Sequence, residues 1–255
     1  MSALLSLRDV TLARAGTPVL DGVSLDVAEG EFVSILGPSG AGKSTLFELL
    51  IGGLRPDGGR IAVEGRPLDP ARSPFAFMPQ RDALMPWRRI IDNATLGLEV
   101  QGLSRRAARE RVRPLLARFG LAGFERHWPA QLSGGMRQRA ALLRTVVQDR
   151  RILLLDEPFG ALDALTRTEM RRWLERRWMD DPRTTLLVTH DVREAVCLSD
   201  RVHVLSPRPA RVAAEFAVPL SRPRFEGAAP AEAHDLERRI LATLLDPRGE
   251  TECSA

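Results

Sequence analysis

Lysine is almost absent from this chain: all but one of its 37 basic residues are arginine, and the exception is Lys43. There is no tyrosine, cysteine occurs twice, and no apolar run approaches the roughly 18 residues of a membrane-spanning helix. Each shortage excludes something. Two cysteines, Cys197 in a helical pattern and Cys253 near the end, give neither a disulfide framework nor metal-ligand spacing and read as free thiols. With no spanning run, and with Met1 to Leu7 passing into Arg8-Asp9 without a basic n-region or cleavage site, the sequence predicts a protein of the cytosol. A pI of 10.2 invites a nucleic-acid partner, but the net charge is only +4 and arginine in place of lysine accounts for part of that pI. The clusters Arg105-Arg106 and Arg109-Glu110-Arg111 are broken by acids and apolar residues at helical spacing. They read as a solvated helix face, the alternative being attraction to anionic lipid headgroups.

The lone lysine lies in Gly37-Pro38-Ser39-Gly40-Ala41-Gly42-Lys43-Ser44, followed by Thr45. A loop wrapped around a triphosphate has room for a slim ammonium on a flexible stem and little for a planar guanidinium, so this lysine is not exchangeable. The glycines let the backbone point its N–H groups at phosphate oxygens, Lys43 reaches the outer phosphates, and the Ser44 hydroxyl can ligate Mg²⁺. Context agrees: Glu31 to Leu36 is a short apolar run that reads as a buried strand, and Ser44 to Leu50 opens a helix whose N-terminal dipole favours an anion.

Leu5 to Val27 alternates and breaks at Ala15 to Pro18, predicting antiparallel strands. Asp57-Gly58-Gly59 reads as a turn, followed by a strand through Ile61 and Val63 and another around Phe75 to Met78. From Ile91 to Asp149 the period becomes helical: Val112, Leu115, Leu116 and Phe119 recur on one face, Gly120 stops that helix, and another follows Gly135. Ile152 to Leu155 and Thr184 to Val188 are apolar runs suited to a parallel sheet, joined by a helix from about Asp163 to Met179. After Val202 to Leu205 come further short strands, a Pro/Arg/Gly-rich stretch at Pro219 to Pro230, and an amphipathic helix with Leu236, Ile240, Leu241 and Leu244.

Ile152 to Leu155 ends in Asp156-Glu157, which predicts two carboxylates at the carboxyl edge of the sheet beside the phosphate loop. Asp156 suits Mg²⁺ as a water-mediated ligand; Glu157 suits the orientation of a water attacking a γ-phosphate. Leu132-Ser133-Gly134-Gly135-Met136 can make a second anion-binding helix terminus, Ser133 capping and the glycines baring N–H groups. Alone that signal is weak. Its place, shortly before the Asp-Glu pair, gives it weight.

In this order the motifs resemble the ATP-binding subunit of an ABC (ATP-binding cassette) transporter over about residues 4 to 217. Gly37 to Ser44 is similar to the Walker A loop, Gln80 to the Q-loop, Leu132 to Met136 to the signature, Ile152 to Glu157 to Walker B, Gly160-Ala161-Leu162-Asp163 to the D-loop, and His190 to the switch histidine. The resemblance implies an α/β P-loop NTPase fold, a RecA-like core (about 4 to 80 and 151 to 217) with an antiparallel β subdomain and an inserted all-helical signature subdomain (about 88 to 150). Residues 218 to 255 would form a short extension with one helix. It further implies ATP and Mg²⁺ as cofactors and a head-to-tail dimer of two copies, each ATP lying between one copy's Walker A and the other's signature. Ser133, Gly134, Gly135 and Asp163 would then serve the nucleotide in trans, Gln80 would sense Mg²⁺ and the γ-phosphate, and His190 would bond the γ-phosphate. Glu157, His190 and Lys43 would be catalytic, and Ser44, Gln80 and Asp156 would hold the metal.

Two positions depart from the family pattern. Arg14 stands where an aromatic residue usually stacks on adenine; a guanidinium plane can do the same. Met136 replaces the usual glutamine of the signature, which leaves the contacts of Ser133 and the glycine backbone intact. Gln80 to Trp87 carries Leu84, Met85 and Trp87, which either dock a cytoplasmic helix of the permease or pack against the helical insertion. The stretch from Leu132 to Arg167 is similar to the nitrate/sulfonate/taurine branch, which includes importers of thiamine precursors. The resemblance thus implies an importer ATPase, peripheral on the cytoplasmic face of the plasma membrane, partnered by transmembrane permease subunits and indirectly by a substrate-binding protein, with no nucleic acid. A soluble ABC ATPase acting on nucleic acid or ribosomes is the alternative; the 51 residues between Gln80 and Leu132 hold neither heptads nor metal ligands.

Overall fold

The computed structural model describes residues 3 to 225 and 231 to 246. These divide into two compact units, one of residues 1–73 with 175–255 and the other of residues 74–174.

The chain begins in the first unit with β1 (Ala3–Arg14) and β2 (Thr17–Ala28), antiparallel and joined where Ala15-Gly16 was expected to turn. Next come β3 (Phe32–Leu36), α1 (Lys43–Leu50), β4 (Gly58–Val63) and β5 (Arg66–Pro67). One sheet of this unit is antiparallel, in the order β2-β1-β4-β5. Here the sequence reading needs correcting: Gly58 and Gly59 lie inside β4 and are not a turn ahead of it. Gly59 has φ +80°, and a Cβ there would come within 2.3 Å of the Asp9 carbonyl oxygen. The register between β1 and β4 shifts between Arg8 and Thr11, so the glycine accommodates a bulge that depends on the partner strand.

The second unit contains β6 (Phe75–Met78), α2 (Ile90–Ala94), α3 (Leu96–Val100), α4 (Arg105–Leu116), α5 (Gly134–Val146), β7 (Ile152–Asp156) and most of α6 (Ala164–Asp180). The strands β6 and β7 are parallel, Phe75 opposite Ile152 through Met78 opposite Leu155. All of β7 is buried, as an apolar Ile-Leu-Leu-Leu run requires. α4 turns Ala108, Val112 and Leu116 inward, and Ser104 caps it by accepting from the Ala107 N–H at 3.3 Å.

The first unit resumes with β8 (Thr184–Val188), α7 (Val192–Leu198), β9 (Arg201–Leu205), β10 (Val212–Ala217) and α8 (Ala231–Leu245). Within it β3 is parallel to both β8 and β9, and β10 is antiparallel to β9. Every residue of β3 and β8 is buried, which fits strands covered on both faces. The final helix packs Ala233, Leu236 and Ile240 into a core with Leu36, Val196, Val202 and Val204, with Leu244 at its margin. Leu241, read with that stripe, is 48% exposed. One residue beyond Ile240 turns about 100° around a helix, off a face repeating at three and four residues. The Pro/Arg/Gly-rich stretch is described to Phe225; its end and Cys253 lie outside the described residues.

Candidate active site

In the first unit the expected phosphate loop joins β3 to α1. Gly42 is the helix N-cap in a left-handed conformation, φ 109°, and a Cβ there would approach the Val19 and Leu20 side chains to 3.1 Å. Both constraints select glycine. The ammonium of Lys43, only 7% exposed, donates to the Gly37 carbonyl at 2.7 Å and the Pro38 carbonyl at 3.0 Å, so the lysine spans the loop that carries it. Ser39, Gly40 and Ser44 are exposed, while Ala41 and Thr45 are buried beneath them. The geometry is a short bowl of backbone closed by one cation at the head of an eight-residue helix.

His190 follows β8 and is exposed. Its neighbours are tied down: the Asp191 N–H donates to the Thr189 hydroxyl at 3.1 Å, the Asp191 carboxylate accepts from the Glu194 N–H at 3.1 Å, and the Thr189 hydroxyl donates to the buried Glu194 carboxylate. Sequence reasoning singled out His190 but missed Glu194. The signal was available, since Asp191-x-x-Glu194 at the head of α7 has the spacing of a capping box. Arg14, at the end of β1, is half exposed and pairs with Glu48 of α1 at 2.8 Å.

In the second unit Asp156 ends β7 at 3% exposure. Glu157 follows with φ +48°, a left-handed backbone that a non-glycine residue adopts only where its surroundings impose it. The Gln80 amide donates to the Glu157 carboxylate at 3.0 Å, and Gln138 of α5, 4% exposed, donates to the Glu157 carbonyl at 3.3 Å. Gln80 therefore meets the residue expected to orient water. Gln138 was not anticipated.

Ser133 caps α5, accepting from the Met136 N–H at 3.2 Å, and Ser133 and Gly134 are exposed at its start. Asp163 accepts from the Thr166 N–H at 3.1 Å at the head of α6; hydrogen bonds from the Thr166 side chain and backbone hold its carboxyl below the ordinary range. The segment after Gln80 is strapped to α5 by two arginines. Arg137 pairs with Asp82 at 2.9 Å, and Arg144, 9% exposed, donates to the Ala83 carbonyl at 2.7 Å and the Asp82 carbonyl at 2.8 Å. Burial pushes the Arg144 guanidinium below its ordinary pKa. Leu84 is buried and Met85 half-buried, whereas Trp87 is 71% exposed and so is not packed against the helices.

A protein-family model described as ABC transporter matches residues 20–160. The taurine import ATP-binding protein TauB of Yersinia pestis bv. Antiqua is 40% identical over 235 residues, 92% of either chain. The aliphatic sulfonates import ATP-binding protein SsuB of Cupriavidus necator is 47% identical over 228 residues, 88% of this chain and 73% of that one. Among solved structures, the ATP-binding cassette MJ0796, dimeric in a post-hydrolysis state bound to ADP and Pi, superposes with a TM-score of 0.76 at 29% identity, covering 85% of this chain and all of that one. With a phosphate loop, a strand ending in Asp156-Glu157 and a capped Ser-Gly-Gly helix in matching order, the chain belongs to the ABC transporter family.

Proposed function

We propose that this chain is the ATP-hydrolysing subunit of an importer, acting as a pair of copies on separate membrane permease subunits. In this reading residues Gly37 to Thr45 cradle the phosphates, Lys43 neutralises the outer ones, and Arg14 stacks on adenine. The Glu157 carboxylate orients the attacking water and accepts its proton, and His190 bonds the γ-phosphate. Ser133, Gly134, Gly135 and Asp163 act on the nucleotide held by a second copy.

Magnesium fits the donors available. Ser44, Gln80 and Asp156 offer hydroxyl, amide and carboxylate oxygens, the hard ligands this ion prefers, and they would hold it. Among the described residues no group of three or more His, Cys, Asp or Glu could cage a metal, in keeping with an ion that takes few protein ligands alongside phosphates. When bound, it neutralises charge on the transferring phosphoryl group.

Closure of the pair stabilises a permease conformation because the trans contacts exist only in the closed state, and loss of the γ-phosphate removes them. Trp87 and the segment around it offer an exposed apolar surface to a helix of the permease. No helix among the described residues is long and apolar enough to cross a membrane, so attachment at the cytoplasmic face would come through the permease, and a substrate-binding protein would act only indirectly. The relatives named for taurine and aliphatic sulfonates suggest a small solute of the nitrate/sulfonate/taurine or thiamine-precursor type. Nothing in the comparisons favours a cassette acting on nucleic acid or ribosomes.

The support that weighs most is Glu157, held by Gln80 and Gln138 in a left-handed backbone beside buried Asp156. Glu157→Gln should retain ATP while phosphate release falls by about 10²–10³ or more, and Lys43→Ala should lose tight ATP binding in calorimetry. Normal turnover in Glu157→Gln would remove the carboxylate from the mechanism.

A further inference from the structure

Away from the residues assigned above, the helical unit has a concave, arginine-rich cavity of about 350 Å³, lined by Arg89, Ile91, Arg109, Arg113, Glu125 and Arg126. Four arginines and one glutamate line it, and Asp92 beside it neutralises one of the four, Arg109. Their positions are fixed by backbone and side chain together. The 125–127 segment is tied to the start of α2, the Ile90 N–H donating to the His127 carbonyl at 2.9 Å and the Ile91 N–H to the Glu125 carbonyl at 3.0 Å. Arg89 donates to the Arg126 carbonyl and lies over the Trp128 ring, 4.8 Å from its centre. Arg109 grips Asp92 through two nitrogens, at 2.6 and 3.0 Å. Arg113 sits one turn along the same face of α4, and neither it nor Arg126 has an acidic partner among the described residues.

Gathering like charges around a concavity is unfavourable unless an anion compensates, and guanidinium forks match the oxygens of a sulfate, sulfonate or phosphate group better than any neutral ligand. We propose that this cavity binds an oxyanion of that kind, Arg113 and Arg126 supplying the free donors and Arg89 and Arg109 the fixed wall. Glu125 tempers the affinity by repelling the ligand. The site does not depend on the ATPase reading, because none of its residues belongs to the nucleotide machinery.

The test is sulfate titration by calorimetry in chloride buffer near 0.15 M ionic strength, using Lys43→Ala protein so that the phosphate loop does not take the anion. Sulfate should bind; Arg113→Ala/Arg126→Ala should weaken it about tenfold or more, and Glu125→Gln should tighten it about threefold. A parallel arm floats the protein with phosphatidylglycerol or phosphatidylcholine vesicles. Binding to phosphatidylglycerol alone that is lost in the double variant, without response to free sulfate, supports the site with a lipid headgroup as its ligand. Sulfate binding lost in the double variant supports a free solute. If neither probe binds, or if the double variant binds both unchanged, the proposal is overturned. Should the double variant fail to fold, as judged by its thermal melt, unchanged sulfate affinity in Glu125→Gln overturns it equally.

Discussion

The loop from Gly37 to Lys43 in the first unit is shaped by glycine dihedrals and by one ammonium bonded to two carbonyls of the same loop. In the helical unit the corresponding positions are held from outside. Gln80 and Gln138 hold Glu157, Arg137 and Arg144 hold the segment after Gln80, and Ser133 caps α5. A site made of its own backbone tolerates change in its surroundings. A site made of borrowed side chains transmits such change.

Arg144 offers the sharpest test of that contrast. Its guanidinium is buried and makes two hydrogen bonds to carbonyls, so Arg144→Ala should cost about 3–5 kcal/mol in urea unfolding, at the level of charge-assisted bonds lost from a buried site. Phosphate release should fall with it, because the Gln80 segment loses its tether, while ATP affinity measured by calorimetry should stay near that of the parent protein. Equal losses of affinity and turnover would mean that the two units do not differ as described.

The next effect belongs to the first unit and is smaller. His203 of β9 is 1% exposed, neither ring nitrogen has a hydrogen-bond partner among the described residues, and burial pushes its pKa down to about 4, against the pull of Glu215 at 3.7 Å. Below the unfolded value near 6.5 the unfolded chain takes up a proton that the folded one refuses. Stability contributed by the neutral ring is therefore complete above pH 6.5 and declines as pH falls toward 4, by about 3 kcal/mol in all. Glu215, held below its ordinary value chiefly by its hydrogen bond to Arg201, adds a loss of the same sign at lower pH. Urea midpoints at pH 7.5 and 5 should differ in the parent protein and converge in His203→Leu. An undiminished difference in that variant would locate the acid sensitivity elsewhere.

How much of this was legible in the sequence follows from what each feature depends on. The buried strands β3, β7 and β8 were readable because covering a strand on both faces demands a continuous apolar run. The phosphate loop was readable because glycine spacing and a single lysine are local properties. Glycines 58 and 59 were misread as a turn because the bulge they accommodate depends on Asp9 in another strand. The role of Arg144 had no local signature, since the carbonyls it meets lie about 60 residues away in the chain. The bond between Gln80 and Glu157 spans 77 residues and had no signature of its own. The resemblance put the helical subdomain at about 88 to 150; the compact units divide at 73/74 and 174/175, bounds that follow from packing and not from composition.

The smallest predicted effect bears on the position that departs from the family pattern. Arg14 and Glu48 form an exposed ion pair, 50% and 41% accessible, a kind of contact that contributes about 0.5 kcal/mol or less to stability. Arg14→Ala should thus leave the melting temperature almost unchanged. If the guanidinium stacks on adenine, the same variant should bind ATP several-fold more weakly, and Arg14→Phe, which restores a flat surface without the charge, should recover most of the loss. Pairing with Glu48 alone predicts the reverse ordering: Glu48→Gln would perturb the protein as much as Arg14→Ala, and neither would alter nucleotide affinity. Because the two outcomes differ in which variant matters and not merely in size, comparing ATP with GTP in the same titrations decides whether the base is read by this residue or only its phosphates by the loop.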